Sequence, residues 1–315
     1  SEMCIRDRVI EMLQEVFYWI FNMSITASVV GLVVVLIRSI PKIPKRLSVF
    51  LWIIPFFRMI IPLGLNSPYS FMSLISRITT KTVVIYQPAE NFSFSMTNSV
   101  MAADRYFPIT YKVNLLGQVF RIASVVWIIV FLAIALTLVI LYCTTLHEIK
   151  DATHLRDNIF LTEKIVSPTV YGMIRPRIIL PKTYDEKNLD YALMHEKVHI
   201  HCGDNLWRVV AFFVTAIHWF NPFAWLFLRQ FLVDIELSCD ERVLAKLDED
   251  GAKEYARSLL DSTESMTIFA SAFGGAKIRT RIENILSFKK ITRVALLGSI
   301  LLITAIFYVL LTNAD

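Results

Sequence analysis

The chain has 315 residues, 55% of them hydrophobic and only 19% charged, with a net charge of +5 and a mean hydropathy of +0.54. That composition excludes an ordinary water-soluble globular protein and makes a lipid bilayer the expected main solvent. The basic residues sit in loops beside apolar runs, not on a basic face interleaved with aromatics, so direct nucleic-acid binding is not expected.

Residues 1–8, SEMCIRDR, begin without Met and read as a sequencing-adapter tail, so fold reasoning starts at Val9 and Cys4 is set aside. Cys143, Cys202 and Cys239 then remain, without the spacing of a disulfide framework, as expected for reduced thiols on the cytosolic side. Four segments are apolar and long enough to cross a bilayer: 16–37, 47–65, 122–143 and 294–312. The second carries Pro55, Arg58 and Pro62. It is expected either to kink and pack against its neighbours or to shift so that Arg58, in a structural role, faces protein or a water-filled cavity.

Orientation follows from the basic residues. Arg38, Lys42, Lys45 and Arg46 crowd the loop after the first span, whereas 66–118 carries only Arg77, Lys81, Arg105 and Lys112. Short loops rich in Lys and Arg stay in the cytosol. The first loop is therefore cytosolic, 66–118 is an extracellular loop, both termini lie outside, and 144–293 forms a cytosolic part flanked by Lys289, Lys290 and Arg293.

Within that part, 159–166 and 177–180 read as short strands bracketed by Ser167-Pro168, Gly172, Pro176 and Pro181, giving a small hairpin or sheet. A helix over 190–201 is expected, with Asp185 or Asn188 as cap and an end near Gly203. The apolar stretch 206–232 is broken by Asn221-Pro222 into halves too short to span, and reads as two helices at the membrane interface or re-entrant. One kinked fifth span is the alternative. It is disfavoured because it would carry Glu236 across the membrane from His199. Helix resumes over 223–246 and again, amphipathic, over 253–263, and Phe273-Gly274-Gly275 marks a flexible break.

The chemistry is concentrated in His195-Glu196-Lys197-Val198-His199. On a helix this pattern puts two imidazoles one turn apart on one face with a carboxylate beside them, the grip of a zinc protease. Glu236 and Asp240, again one turn apart, stand where a third ligand and its helper are expected. In this reading His195, His199 and Glu236 hold one zinc ion and leave the fourth position to water, whose pKa falls from about 16 toward ~7. Glu196 takes the proton and passes it to the leaving amine. Asp240 accepts the other ring N–H of a ligand histidine. His201 points off the ligand face, His218 reads as an interior histidine, and Cys239 as a small packed thiol.

Together with SPTVYGMIRPRIILP before this motif, HWFNPFAW after it and ELSCDE around the acids, the chain resembles the BlaR/MecR-type antirepressor membrane metallopeptidases over nearly all of 15–312. The resemblance implies a mainly α membrane protein of four transmembrane helices, with two N-terminal spans over 9–65, a third over 119–143 and a fourth over 294–315. A gluzincin-like α+β zinc protease lies between the third and fourth. It implies the same roles for His195, Glu196, His199, Glu236 and Asp240, in a bacterial cell membrane. The implied partners are the bilayer and a cytosolic repressor-type protein, cut after an outside signal, with a homodimer allowed; the juxtamembrane segment of the chain itself is a second substrate. Members that sense β-lactams carry an extracellular penicillin-binding domain after the fourth span, which these 315 residues do not include, so either such a domain belongs to a longer chain or this is a sensorless member that answers to its extracellular loop or to a partner protein.

Two expectations concern substrate. A strand edge at Arg177, Ile178 and Ile179, or its neighbour, is expected to pair with an extended peptide. The bond at Ser287 and Phe288 is a candidate self-cleavage point. Rival readings are a housekeeping membrane gluzincin of quality-control or prenyl-peptide type, a non-catalytic signalling scaffold and, most weakly, a transporter.

Overall fold

The computed structural model describes residues 2–40, 43–61, 70, 115–165, 167–173, 175–182, 186–261, 276–289 and 293–311. Nearly all of the expected extracellular loop, and the expected break at Phe273-Gly274-Gly275, lie outside the described residues. The fold is mostly helical with one small sheet.

Two helices dominate, α1 (Glu2–Arg38) and the later α4 (Leu115–Glu148). Within them Arg8–Arg38 and Gln118–His147 are long and apolar enough to cross a membrane. They differ in surroundings, since the apolar span of α1 is 50% buried in protein and that of α4 only 11%. Ile122, Ile129, Leu132, Leu136 and Val139 are all exposed along α4. Such a rod of aliphatic side chains is not left in water, and the exposed face of α4 suits contact with lipid or with another apolar surface.

The expected second span is not one helix among the described residues. It forms α2 (Lys45–Leu51) and α3 (Ile53–Ile60), parted at Trp52, and the chain is extended at Ile61. Pro55 explains the restart: it falls in the first turn of α3, where a missing N–H costs nothing. Trp52 is fully buried and donates its indole N–H to Asp234 at 2.7 Å. Arg58 is buried and donates to the Leu310 carbonyl at 3.0 Å, which anchors the end of the last helix, α10 (Arg293–Leu311). With 19 residues, α10 is about 28 Å long, close to the ~30 Å hydrocarbon thickness.

The sheet contains β1 (Thr153–Arg156), β2 (Ile159–Thr162), β3 (Thr169–Tyr171) and β4 (Arg177–Pro181) in the order β1-β2-β4-β3. The outer pairs are antiparallel, and β2 runs parallel to β4. Ile159, Ile178 and Leu180 pack against Leu193 of α5 (Glu186–Cys202). This corrects the expectation of a substrate-pairing edge at Arg177, Ile178 and Ile179: β4 is central, its backbone paired on both sides, with Ile178 and Ile179 buried. The outer strand on that side is the neighbour, β3.

Two helices follow α5: α6 (Asp204–Ile217) and α7 (Pro222–Leu244). The expected break is there. Asn221 caps α7 by accepting from the Phe223 N–H at 2.9 Å, and Pro222 opens the helix, where its fixed φ suits the first turn. At the hairpin tip, Asn221 donates to the Ser24 and Ser28 hydroxyls of α1 at 2.7 and 2.8 Å, and Trp127 of α4 donates to the Ile217 carbonyl at 2.8 Å. From there α7 returns along α1. Phe227 fills the notch at Gly31, and Asp234 takes a two-pronged bond from Arg38 at 2.7 and 2.8 Å. Glu241 then accepts the first backbone N–H groups of α2, from Lys45 and Arg46, at 3.0 and 3.1 Å. Both arms of the hairpin thus start and finish at the same end of α1, so 206–232 folds as a hairpin of two helices and not as one kinked helix.

Two further helices, α8 (Glu249–Asp261) and α9 (Ile278–Ser287), close over α5 and α7. Val198, Cys239, Val243, Tyr255 and Ile285 form the core between them.

Candidate metal centre

Both histidines of the HEKVH motif are buried on α5, their rings perpendicular with centroids 4.7 Å apart. Their Nε2 atoms face each other at 3.1 Å. Glu236, from α7, brings Oε2 to 3.6 Å from His195 Nε2 and Oε1 to 3.7 Å from His199 Nε2. The three expected ligands therefore converge on one point.

The opposite ring nitrogens explain why. His199 Nδ1 lies 2.6 Å from Asp204 Oδ2, and a carboxylate can only accept, so the ring proton is on Nδ1. His195 Nδ1 lies 2.9 Å from the Tyr255 hydroxyl. That hydroxyl donates to Asp240 at 2.5 Å, which leaves its oxygen to accept from Nδ1. Each Nε2 is then an acceptor turned inward, with Arg281 Nη2 3.4 Å from that of His195. Two imidazole nitrogens and a carboxylate turned toward one point are a donor set that fits a metal ion with N and O ligands, and the Arg281 guanidinium stands beside them.

Charge around this point is arranged in layers. Arg208 of α6 donates to Glu236 Oε1 at 2.6 Å, and Arg281 of α9 holds Asp240 at 2.6 and 2.8 Å. Burial alone would raise the Glu236 pKa, but the imidazoles, Arg208 and Arg281 outweigh it and hold the carboxyl well below its usual range. Glu196 behaves oppositely: burial, aided by the Glu236 charge, lifts its pKa to about 7, against the pull of His199, Arg208 and Arg281. A carboxylate poised near neutrality is suited to accept and return a proton.

The chain matches the BlaR1 peptidase M56 family over residues 18–285. It belongs to that family. It is similar to the regulatory protein BlaR1 of Bacillus licheniformis, with 29% identity over 155 residues, 45% of this chain and 26% of that protein. It is also similar to the methicillin resistance mecR1 protein of Staphylococcus aureus, with 28% identity over 103 residues, 31% of this chain and 18% of that protein. The regulatory protein BlaR1 of Staphylococcus aureus is 28% identical over 134 residues, 39% of this chain and 23% of that protein. The matched stretches thus span about a quarter or less of these relatives.

In this M56 chain a second set of donors, His195, His199 and Cys239, also lies within 4.8 Å. Glu236 is the one that turns its carboxylate oxygens to the two Nε2 atoms. Cys239 Sγ sits 3.3 Å from His195 Nδ1, not at the meeting point of the Nε2 atoms, and its S–H turns to the His195 carbonyl at 3.3 Å. Burial and the Glu236 and Asp240 charges push its thiol pKa well up.

Four residues of the M56 site were not assigned to it from the sequence: Asp204, Arg208, Tyr255 and Arg281. The first two follow His199 closely, and the turn at Gly203, with φ 67°, folds α6 back so that they reach it. No spacing rule points to Tyr255 or Arg281. The expected role of Asp240 is modified, since its Oδ1 stands 3.4 Å from His195 Nδ1 and Tyr255 bridges the two. Arg177 lies over the Phe160 ring at 5.1 Å. Ser287 is the last residue of α9, with Phe288 half-buried against the core of the protease part, so cutting there requires that helix end to unwind. His201 is exposed, and His218 is buried near the hairpin tip, its Nδ1 3.0 Å from the Val214 carbonyl.

Proposed function

We propose that this M56 member is a multi-pass endopeptidase of a bacterial cell membrane, dependent on one zinc ion held by His195, His199 and Glu236. The observation that carries the proposal is the pair of Nε2 lone pairs turned on the Glu236 carboxylate, with both ring protons committed elsewhere. Nitrogen and carboxylate donors with an open position are the ligand set of catalytic zinc. When bound, zinc supplies Lewis-acid chemistry, polarising a peptide carbonyl and making water acidic.

The protein's own groups do the rest. Glu196 accepts the proton of the attacking water and delivers it to the leaving amine, a role supported by its raised pKa. Arg208 and Asp204 hold Glu236 and His199 in orientation. Asn205 donates to the Val170 carbonyl at 3.1 Å and ties the outer strand β3 to the helix carrying Asp204 and Arg208, so an extended substrate pairing with β3 would displace that bond.

We further propose that α1, α2–α3, α4 and α10 are the four spans, with 144–293 facing the cytosol and both termini outside. The basic loop around Arg38 and Lys45 and the exposed apolar surface of α4 support this. The substrate is a cytosolic repressor-type protein, the segment at Ser287 and Phe288, or both. Names of the similar proteins, regulatory and resistance-linked, favour a signalling role over housekeeping proteolysis.

Elemental analysis of the purified full-length protein tests the centre. About one zinc per chain is expected in the wild type and in Glu196→Gln, and much less in Glu236→Ala. Glu196→Gln should still lose ~10²- to 10⁴-fold in peptide cleavage. Metal content in Glu236→Ala equal to that of the wild type would sink the ligand assignment.

A further inference from the structure

Asp240 is completely buried, and its carboxylate receives a 2.5 Å bond from Tyr255, a 2.6 Å bond from Arg281 Nη2 and a 2.8 Å bond from Arg281 Nε. Arg281 grips both oxygens and so decides the rotation of the carboxylate. Its third nitrogen, Nη1, stands 3.5 Å from Glu236 Oε2. A single guanidinium from α9 therefore stands beside Glu236, lies 3.5 and 3.4 Å from Nδ1 and Nε2 of the His195 ring, and reaches that ring again through Asp240 and Tyr255.

The direction of the Tyr255 proton is what matters to the ring. While Asp240 presents Oδ1 to Tyr255, the hydroxyl must donate there and accept from His195 Nδ1. The Nε2 lone pair then faces inward. An unheld carboxylate can turn away, which frees Tyr255 to donate to Nδ1. The ring proton would then sit on Nε2, in the tautomer that cannot bind a metal.

We propose that Arg281 is a positioning residue of the zinc centre, acting through Asp240 and Tyr255 to keep His195 in its metal-binding tautomer and through Nη1 to orient Glu236. The inference rests on the zinc reading above. The planar fork is the essential property: a lysine ammonium carries the same charge but cannot grip both oxygens in one plane.

The test is zinc affinity of the full-length protein, measured by competition with a chromogenic chelator. Arg281→Lys, which preserves the charge beside buried Asp240, is expected to bind zinc ~10- to 100-fold more weakly than the wild type. Arg281→Ala should weaken binding at least as much and regain affinity when methylguanidinium is added. Charge neutralisation alone would be satisfied by lysine, so wild-type affinity in Arg281→Lys overturns the proposal. Should Arg281→Lys fail to show a cooperative unfolding transition, the alanine variant decides: restored zinc affinity with methylguanidinium supports the proposal, and no restoration overturns it. A wild-type protein that takes up no zinc overturns the metal reading itself and this inference with it.

Discussion

At the residue scale the site is governed by where protons rest. His199 gives its Nδ1 proton to Asp204 and His195 gives its own to Tyr255, so two nitrogens one helical turn apart become donors to a common point. Glu196 stands beside them with a pKa of about 7 in the metal-free protein, against an ordinary 4.5. A raised folded-state pKa means that its contribution to stability is present below pH 4.5 and is lost as the pH climbs through about 7. A bound dication favours the carboxylate, so zinc uptake at about pH 6 should expel this proton. Calorimetry in buffers of different ionisation enthalpy should show wild type releasing up to about one proton more than Glu196→Gln at that pH, the difference vanishing above about pH 8. Equal release by both proteins would show that Glu196 is already ionised. The motif exposed both histidines and Glu196 in the sequence because a helix makes near neighbours of i and i+4. Tyr255 and Arg281 were hidden because their contacts depend on how α8 and α9 dock, which no local spacing encodes.

At the element scale α7 is the organising piece. Glu236 and Asp240 face the metal centre, while Asp234 and Glu241 hold Arg38 and the start of α2. One helix thus joins the membrane-side loop to the site. Its approach to α1 depends on Gly31, where an added Cβ would come within 2.2 Å of the Phe227 ring. Small residues let helices in lipid come this close. Gly31→Ala should therefore cost about 1–3 kcal/mol, read as a lowered thermal midpoint in detergent, and Phe227→Leu in the same chain should recover part of it. An unchanged midpoint in Gly31→Ala would mean that the two helices do not meet there. The break at Asn221-Pro222 was legible beforehand because cap and proline chemistry is local. The division of the second expected span was only partly legible: proline announced the irregularity, but nothing local showed that Trp52, at the break, would bond Asp234, 182 residues away.

For the whole molecule the decisive feature is a hairpin that enters beside α1 and turns back. Asn221 meets Ser24 and Ser28, and Asp234 meets Arg38, so α7 runs alongside α1 for roughly fourteen residues, or about 20 Å. Under the proposed topology such a path leaves His201 and Lys246, both exposed, on the cytosolic side. In a background without native cysteines, His201→Cys and Lys246→Cys should both react with a membrane-impermeant maleimide in inside-out vesicles. Labelling from opposite sides would reinstate a fifth crossing.

The amino-acid sequence alone determined the apolar solvent, the HEKVH helix with its downstream acids, and the family that these motifs resemble, because hydropathy and helical periodicity are properties of neighbouring residues. Only the tertiary structure decided that Glu236 faces both imidazoles, that Tyr255 stands between Asp240 and His195, and that β4 is central and not an edge. Those outcomes depend on contacts between segments far apart in the chain, fixed when α6 folds back at Gly203 and α8 and α9 close over the site.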